Sequence, residues 1–261
     1  MYKSGASNIK YFALLRTKIG LNLRAEADRY KLGYLWWILE PLLFAAAMYV
    51  VFVIYLGLRT DDVVAFLLTG MIPFQWFAKS VSNSMGSIKG AKGLLINFPI
   101  NPAFFPLVHM GQDAVKQVFT FGFLLVFLLL YGMPMTYFWL LIPVTMLLQL
   151  MLIVPIGCFV AGLIPMLEDL RFLVSTSITM TLFASGIFYN PREVIDGNLL
   201  PIFYANPMAS LLQIYRDLFM YAKYPDPLNV YFVLLWALLF TLLSTLLLGR
   251  MRNQYARLVM Q

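Results

Sequence analysis

Long apolar runs separated by short polar breaks dominate the chain. A helix needs about 20 apolar residues to cross the hydrocarbon of a bilayer. Six segments meet or approach that length: 36–57, 63–82, 104–131, 137–164, 171–188 and 228–249. The third carries Asp113 and Lys116; the fifth is the shortest and is rich in Ser and Thr. Ahead of the first span, Ile9, Phe12, Leu15, Ile19 and Leu23 recur at helical spacing, while Lys10, Lys18, Arg24 and Arg29 lie off that stripe. This pattern predicts a helix lying in the plane of the membrane interface. Between the last two spans, the pieces 199–205 and 208–221 are each too short to cross and are separated by Asn206-Pro207. They predict two short helices that dip into the membrane and return. The expected fold is an all-α membrane protein. It has six transmembrane helices, an N-terminal cytoplasmic interfacial helix, and short re-entrant external helices before the last span. Residues 1–34 form the interface helix, 35–249 the transmembrane domain with its external segment 189–227, and 250–261 a basic cytoplasmic tail.

Composition agrees with this pattern. The chain has 261 residues, of which 61% are hydrophobic and only 12% charged; a soluble domain carries about 25% charged residues. The single cysteine, Cys158, allows no disulfide framework. The polar, basic first residues lack the short apolar core of a cleavable signal peptide. Lys and Arg orient the bundle. With the N-terminus in the cytoplasm, fourteen fall on inside segments, and only Arg59, Arg192, Arg216 and Lys223 fall outside. The net charge of +7 therefore reflects loops facing anionic lipid rather than nucleic-acid binding.

The candidate chemistry is sparse. No glycine loop followed by Lys-Ser/Thr is present, so no P-loop nucleotide hydrolysis is expected from this chain. No His/Cys cluster points to a metal. His109, Asp113 and Lys116 fall on one face of the third span. A proton relay is one reading of them; an Asp113–Lys116 structural ion pair is the favoured one. Glu40 and Pro41 lie about one turn inside the first span. A carboxylate there must face protein or water, and a proline frees a backbone carbonyl, so this helix belongs to a bundle with a working interior. The loop 83–103 is basic and glycine-rich in its first half. Its second half carries Leu94, Leu95, Ile96 and Phe98, broken by Pro99 and Pro102. Such an apolar patch packs either against a partner or against the protein's own helix ends. Aromatic residues stud the first two spans. Rings stack on sugar faces while polar edges meet hydroxyls, so Phe44, Phe52, Phe66 and Phe74 are candidate channel-lining positions. Tyr189 and Tyr204 are candidates for the external mouth. Packing between helices or contact with lipid is the alternative for all of these rings.

The run from Arg29 to Trp36, followed by Leu39-Glu40-Pro41, resembles the opening of ABC-2 type polysaccharide exporter permeases, the membrane subunits of O-antigen, capsule and teichoic-acid exporters. The resemblance continues through Gly70-Met71-Ile72-Pro73-Phe74-Gln75-Trp76-Phe77, Ile187-Phe188-Tyr189 and Tyr204-Ala205-Asn206-Pro207-Met208. It covers nearly the whole chain in order. It implies Leu32, Gly33, Trp36, Glu40 and Pro41 as a motif at the cytoplasmic entrance. It also implies a homodimer in the bacterial inner membrane, with both termini cytoplasmic, working with two copies of a separate ATP-binding subunit. ATP and Mg would be held there and not by this chain. The cargo would be a lipid-linked polysaccharide passing between the two permeases. The helix before the first span, the 83–103 loop and the 165–171 turn would receive the motion, which marks Lys89, Lys92, Leu94, Leu95, Glu168, Asp169 and Arg171 for coupling. Many members carry Arg-Asp in that turn, where this chain has Glu168-Asp169 with Arg171 following.

Two other functions compete. An ABC-2 permease for a drug or small lipid fits the same spans, but the aromatic first two spans favour a glycan. A membrane-bound glycan- or lipid-modifying enzyme would need an acidic or His-based site at a membrane surface. The external pair Asp61-Asp62 is better explained as a solvated turn.

Overall fold

In the computed structural model, residues 4–29, 33–55, 57, 62–98, 100–251 and 254–258 are described. Among them the chain is all-helical. The helices in order are α1 (Ser4–Arg29), α2 (Trp36–Tyr49), α3 (Val63–Met85), α4 (Ser87–Gly90), α5 (Lys92–Asn97), α6 (Phe104–Leu130), α7 (Ile142–Leu163), α8 (Leu170–Ala184), α9 (Pro191–Val194), α10 (Leu200–Tyr204), α11 (Pro207–Phe219), α12 (Pro227–Met251) and α13 (Tyr255–Leu258). Helix α2 runs on as a π-helix over Val50–Tyr55, and a 3₁₀ turn over Tyr137–Leu141 leads into α7.

Among the described residues, four helical stretches are long and apolar enough to cross a membrane: Val63–Met85, Phe104–Leu130, Tyr137–Leu163 and Pro227–Met251. The other two expected spans are shorter. Helix α8 has 15 residues, and α2 reaches its length only through the π-helical continuation.

Helices α3, α6, α7, α11 and α12 supply most of the core. Ile72, Leu124, Leu152, Ile153, Leu211 and Val233 lie within it with 2% exposure or less. Two glutamines join these elements by donating to main-chain carbonyls of α3. Gln149 Nε2 donates to Pro73 O (2.7 Å), and Gln117 Nε2 donates to Ile72 O (3.4 Å). Tyr215 Oη in turn donates to Gln149 Oε1 at 2.9 Å, so the buried amide is used at both ends, as burial demands.

The apolar stripe of α1 is put to use against α6. Leu23 and Ala27 are buried, Leu15 and Ile19 pack on the core, and Tyr11 sets its ring edge-on to Phe104 at 5.6 Å. Phe12 remains exposed. Between α1 and α2 the chain turns at Gly33, whose φ is +46°. A Cβ there would also stand 3.3 Å from Ala27 O, so the position favours glycine on both counts. At the other end of the chain, Tyr255 is fully buried. It donates to Gly162 O at 3.1 Å, fastening α13 beneath the end of α7. Burial pushes its phenol up to about 12.

Candidate functional site

A polar cavity of about 300 Å³ lies between α1, α2, α3 and α6. Its first wall is made by Glu40 and Pro41 of the expected entrance motif. Pro41 has no N–H, so the Trp37 carbonyl four residues earlier loses its helical donor. Thr120 of α6 fills that role, with Oγ1 donating to Trp37 O at 3.3 Å. Glu40 is paired with Lys79 of α3 at 2.6 Å. The two side chains are 58% and 45% exposed.

Across the cavity, Lys116 of α6 meets Glu26 of α1 at 2.6 Å and lies 3.9 Å from Asp113. The expected Asp113–Lys116 pair is thus the longer of two contacts. The closer partner of Asp113 is Asn83, whose Nδ2 donates to both carboxylate oxygens at 3.2 and 2.9 Å. Gln75, Trp76 and Gln117 complete the lining. His109 is not part of this lining.

A second region gathers at the helix ends beside the 83–103 loop. Lys89 of α4 forms an ion pair with Glu168 of the turn before α8, and by hydrogen bond and charge it holds the Glu168 carboxyl below the ordinary range. Arg171 reaches to Gly86, its Nη2 3.7 Å from where a Cβ would stand, and its charge acts on Glu168 in the same direction. Asp169 occupies the N-cap position of α8 without a side-chain cap bond. Lys92 and Leu94 on α5 are exposed, whereas Leu95 is buried. Leu94, Ile96 and Phe98 of the loop, and Met166 and Leu167 of the turn, are open apolar surface.

A third region lies at the opposite end. Arg216 of α11 is 1% exposed. Its guanidinium stacks over the Phe66 ring at 3.5 Å and Nη2 donates to Ile187 O at 3.3 Å. Nε has no acceptor among the described residues. A Cβ on Gly70 would stand 2.8 Å from Nη2; the glycine makes room for the arginine. Asp217 accepts from Gln213 (2.7 Å) and pairs with Lys223 (3.2 Å). Tyr204 Oη donates to Gln213 Oε1 at 3.2 Å. Tyr189 Oη donates to Phe183 O at 3.3 Å, and its ring lies 6.4 Å from Phe203.

The expected channel aromatics are therefore distributed. Phe66, Tyr189 and Tyr204 share the Arg216 end. Phe74 is buried in the core, 6.1 Å from Phe77. Phe44 is half-buried and faces an apolar cleft with Tyr49, Met71 and Phe188, whose free volume is only about 10 Å³. The side chain of Phe52 and the whole of Leu32 lie outside the described residues. Of the remaining entrance-motif residues, Trp36 is exposed and Gly33 forms the turn.

Sequence reasoning missed Lys79, Glu26, Asn83 and Gln117 at the cavity, and Arg216 and Asp217 in the opposite region. Two signals were available. Lys79 sits inside an apolar span at a depth comparable to Glu40, as a partner would. Arg216 and Asp217 are adjacent charges in an otherwise apolar piece.

No family model matches the chain. It is similar to the O-antigen export system permease protein RfbA of Klebsiella pneumoniae, with 29% identity over 215 residues, 82% of this chain and 83% of that one. It is 27% identical to the RfbA permease of Myxococcus xanthus over 235 residues, 87% and 90% of the two chains. A stretch of 82 residues is 33% identical to the polysialic acid transport protein KpsM of Escherichia coli, 31% of this chain and 32% of that one. With four apolar helices of spanning length, these relatives define the class: an integral membrane transporter subunit, not an enzyme. Within it, they support the ABC-2 type polysaccharide exporter permeases as the family that the chain's motifs resemble.

Proposed function

We propose that this chain is the permease of an ATP-driven exporter that moves a lipid-linked polysaccharide, of O-antigen or capsule type, across the bacterial inner membrane. Two copies enclose the path, and two separate ATP-binding subunits hold ATP and Mg. In this reading α2 with its π-helical continuation and α8 are the first and fifth of six spans. Helix α1 lies at the cytoplasmic interface, α10 and α11 are re-entrant from outside, and both termini are cytoplasmic. Residues 1–34, 35–249 and 250–261 keep the roles expected of them.

The observation that carries the proposal is the Lys89–Glu168 bridge. It ties the 83–103 loop to the 165–171 turn across two separate connections of the bundle. The first of these segments exposes Leu94, Ile96 and Phe98, and the second exposes Met166 and Leu167. An apolar patch with a charged centre at the end of a membrane bundle suits a partner that pushes on several helices at once. Lys92, Leu95, Asp169 and Arg171 frame that patch.

The test is biochemical. Detergent-extracted permease is expected to co-purify with its ATPase as a two-plus-two complex and to show no hydrolysis alone. Replacing Glu168 and Asp169 together with Ala is expected to release the ATPase or to uncouple hydrolysis from export. Hydrolysis by the highly purified chain alone, or normal export and an unchanged complex in the double variant, overturns the proposal.

A further inference from the structure

Apart from Glu40 and Pro41 of the entrance motif, the residues that line the cavity between α1, α2, α3 and α6 have no part in the transport reading. We infer that it is a recognition pocket for a mono- or disaccharide unit, one or two rings in size, separate from the path between the two copies. The inference rests on the transport reading only for the source of the sugar; the pocket's chemistry stands on its own.

Size sets the first limit. About 300 Å³ is the lower end of the range for small-molecule pockets, roughly 300–1,000 Å³. A polymer segment does not fit, and a ring or two does.

Charge sets the second. Glu26, Glu40 and Asp113 oppose Lys79 and Lys116, three carboxylates against two ammonium groups, a net of minus one. A diphosphate head group would meet net repulsion, while a neutral ring would not.

Hydrogen-bond capacity sets the third. A sugar hydroxyl both donates and accepts, so it needs the two kinds of partner side by side. The ion pairs supply them at 2.6 Å. A carboxylate has about four lone-pair sites and a lysine three donors, so neither pair is exhausted by its own contact. Asn83 holds the Asp113 carboxylate in one orientation without filling it. Gln117 uses its amide N–H on Ile72 O, and its oxygen is left to accept. The half-buried Trp37 brings indole surface of the kind that lies well against ring C–H faces. The buried Trp76 N–H has no acceptor among the described residues.

Access follows from Glu40 and Lys79. A pair about half exposed at this depth cannot lie against hydrocarbon, so this wall opens on water, where a hydrated ligand can arrive.

The test uses the full-length permease in detergent, titrated with D-galactose, D-mannose and N-acetylglucosamine, with inorganic pyrophosphate as a contrasting probe. Tryptophan fluorescence is the readout, since two of the five Trp residues of the chain line the cavity. At least one sugar is expected to give a saturable change with a half-point on the order of 1 mM. Gln75→Ala and Gln117→Ala are each expected to weaken it at least tenfold, and pyrophosphate to leave the signal flat. Should Gln117→Ala not fold, Gln117→Asn keeps the amide, shortens its reach and is expected to show the same loss. The pocket is overturned if no sugar saturates, if the folded variants bind like the parent chain, or if pyrophosphate saturates the signal. A flat sugar titration from a permease that still assembles with its ATPase and exports glycan sinks the pocket alone. A saturable, variant-sensitive titration from a chain that never assembles with an ATPase sinks the transport reading and leaves the pocket standing.

Discussion

Helices α8 and α11 are nearly the same length and are covered in opposite ways. Every residue of α11 from Met208 to Phe219 is buried, although Gln213, Arg216 and Asp217 lie among them. No residue of α8 is buried, although it is the more apolar of the two. The difference lies in how each satisfies its polar groups. In α8, Ser177, Thr179 and Thr181 each donate to the carbonyl four residues back, so these three hydroxyls need no partner from another helix. In α11, Tyr215 turns to Gln149, Arg216 to Ile187 and Phe66, and Asp217 to Lys223. Inside a bilayer a polar group must find its partner in protein or lining water. Helix α8 is therefore free to face lipid or a second copy, and α11 is not free to leave its bundle.

The largest test of this contrast is truncation. Tyr215 is fully buried and packs 5.2 Å from Phe121. Tyr215→Ala is expected to lower the unfolding free energy in detergent by roughly 3–5 kcal/mol. Phe172→Ala on α8 is expected to change it by about 0.5 kcal/mol or less. Equal losses would break the comparison.

Next in size is the fit of Gly70 against Arg216. Gly70→Ala places a carbon where the guanidinium already is, and the stacked Phe66 ring limits its retreat. An expected loss of about 1–3 kcal/mol should be partly recovered when Arg216→Met is added. The double-mutant cycle gives a coupling of roughly 0.5–3 kcal/mol; simple additivity would show that the two positions do not touch.

The smallest effect concerns the start of α8, where the exposed Glu168 meets Lys89. The folded carboxyl lies below its ordinary value. The bridge therefore contributes fully above the ordinary Glu range, near about 4.3, and is lost as pH falls through the folded value. Amide protection over 166–172, taken relative to the intrinsic exchange rate at each pH, is expected to fall across that acid window, and Glu168→Gln is expected to show the lower protection already at neutral pH. A variant that exchanges like the parent chain at neutral pH would remove the bridge as an anchor of α8.

Much of the fold was legible because bilayer hydrocarbon imposes one length on every crossing helix. Helices α3, α6, α7 and α12 fall on four of the expected runs, and α10 and α11 on the two short pieces around Asn206-Pro207. Asn206 caps α11 by accepting from Met208 N–H at 3.0 Å, the local chemistry that an Asn-Pro pair announces. The partnerships were not legible. Apolar periodicity says that Glu40 needs company, but not that Lys79 supplies it, because the depth of two residues in different spans depends on how the helices slide past each other. The same holds for Glu26 with Lys116 and Tyr215 with Gln149. The Asp113–Lys116 reading followed sequence neighbours on one helix, while Asn83 and Glu26 come closer from other helices.

Gly70 and Arg216 lie on different helices, yet the 2.8 Å approach ties the residue tolerated at one position to the residue present at the other. While the arginine stays, a mutation that gives position 70 even one methyl group is expected to be selected against, however apolar the new residue is. Once the arginine is lost, alanine at position 70 becomes neutral, and the order of the two changes matters. Descendants of this chain are expected to lose the arginine first and the glycine second, and a lineage carrying alanine at 70 beside an intact arginine should be rare.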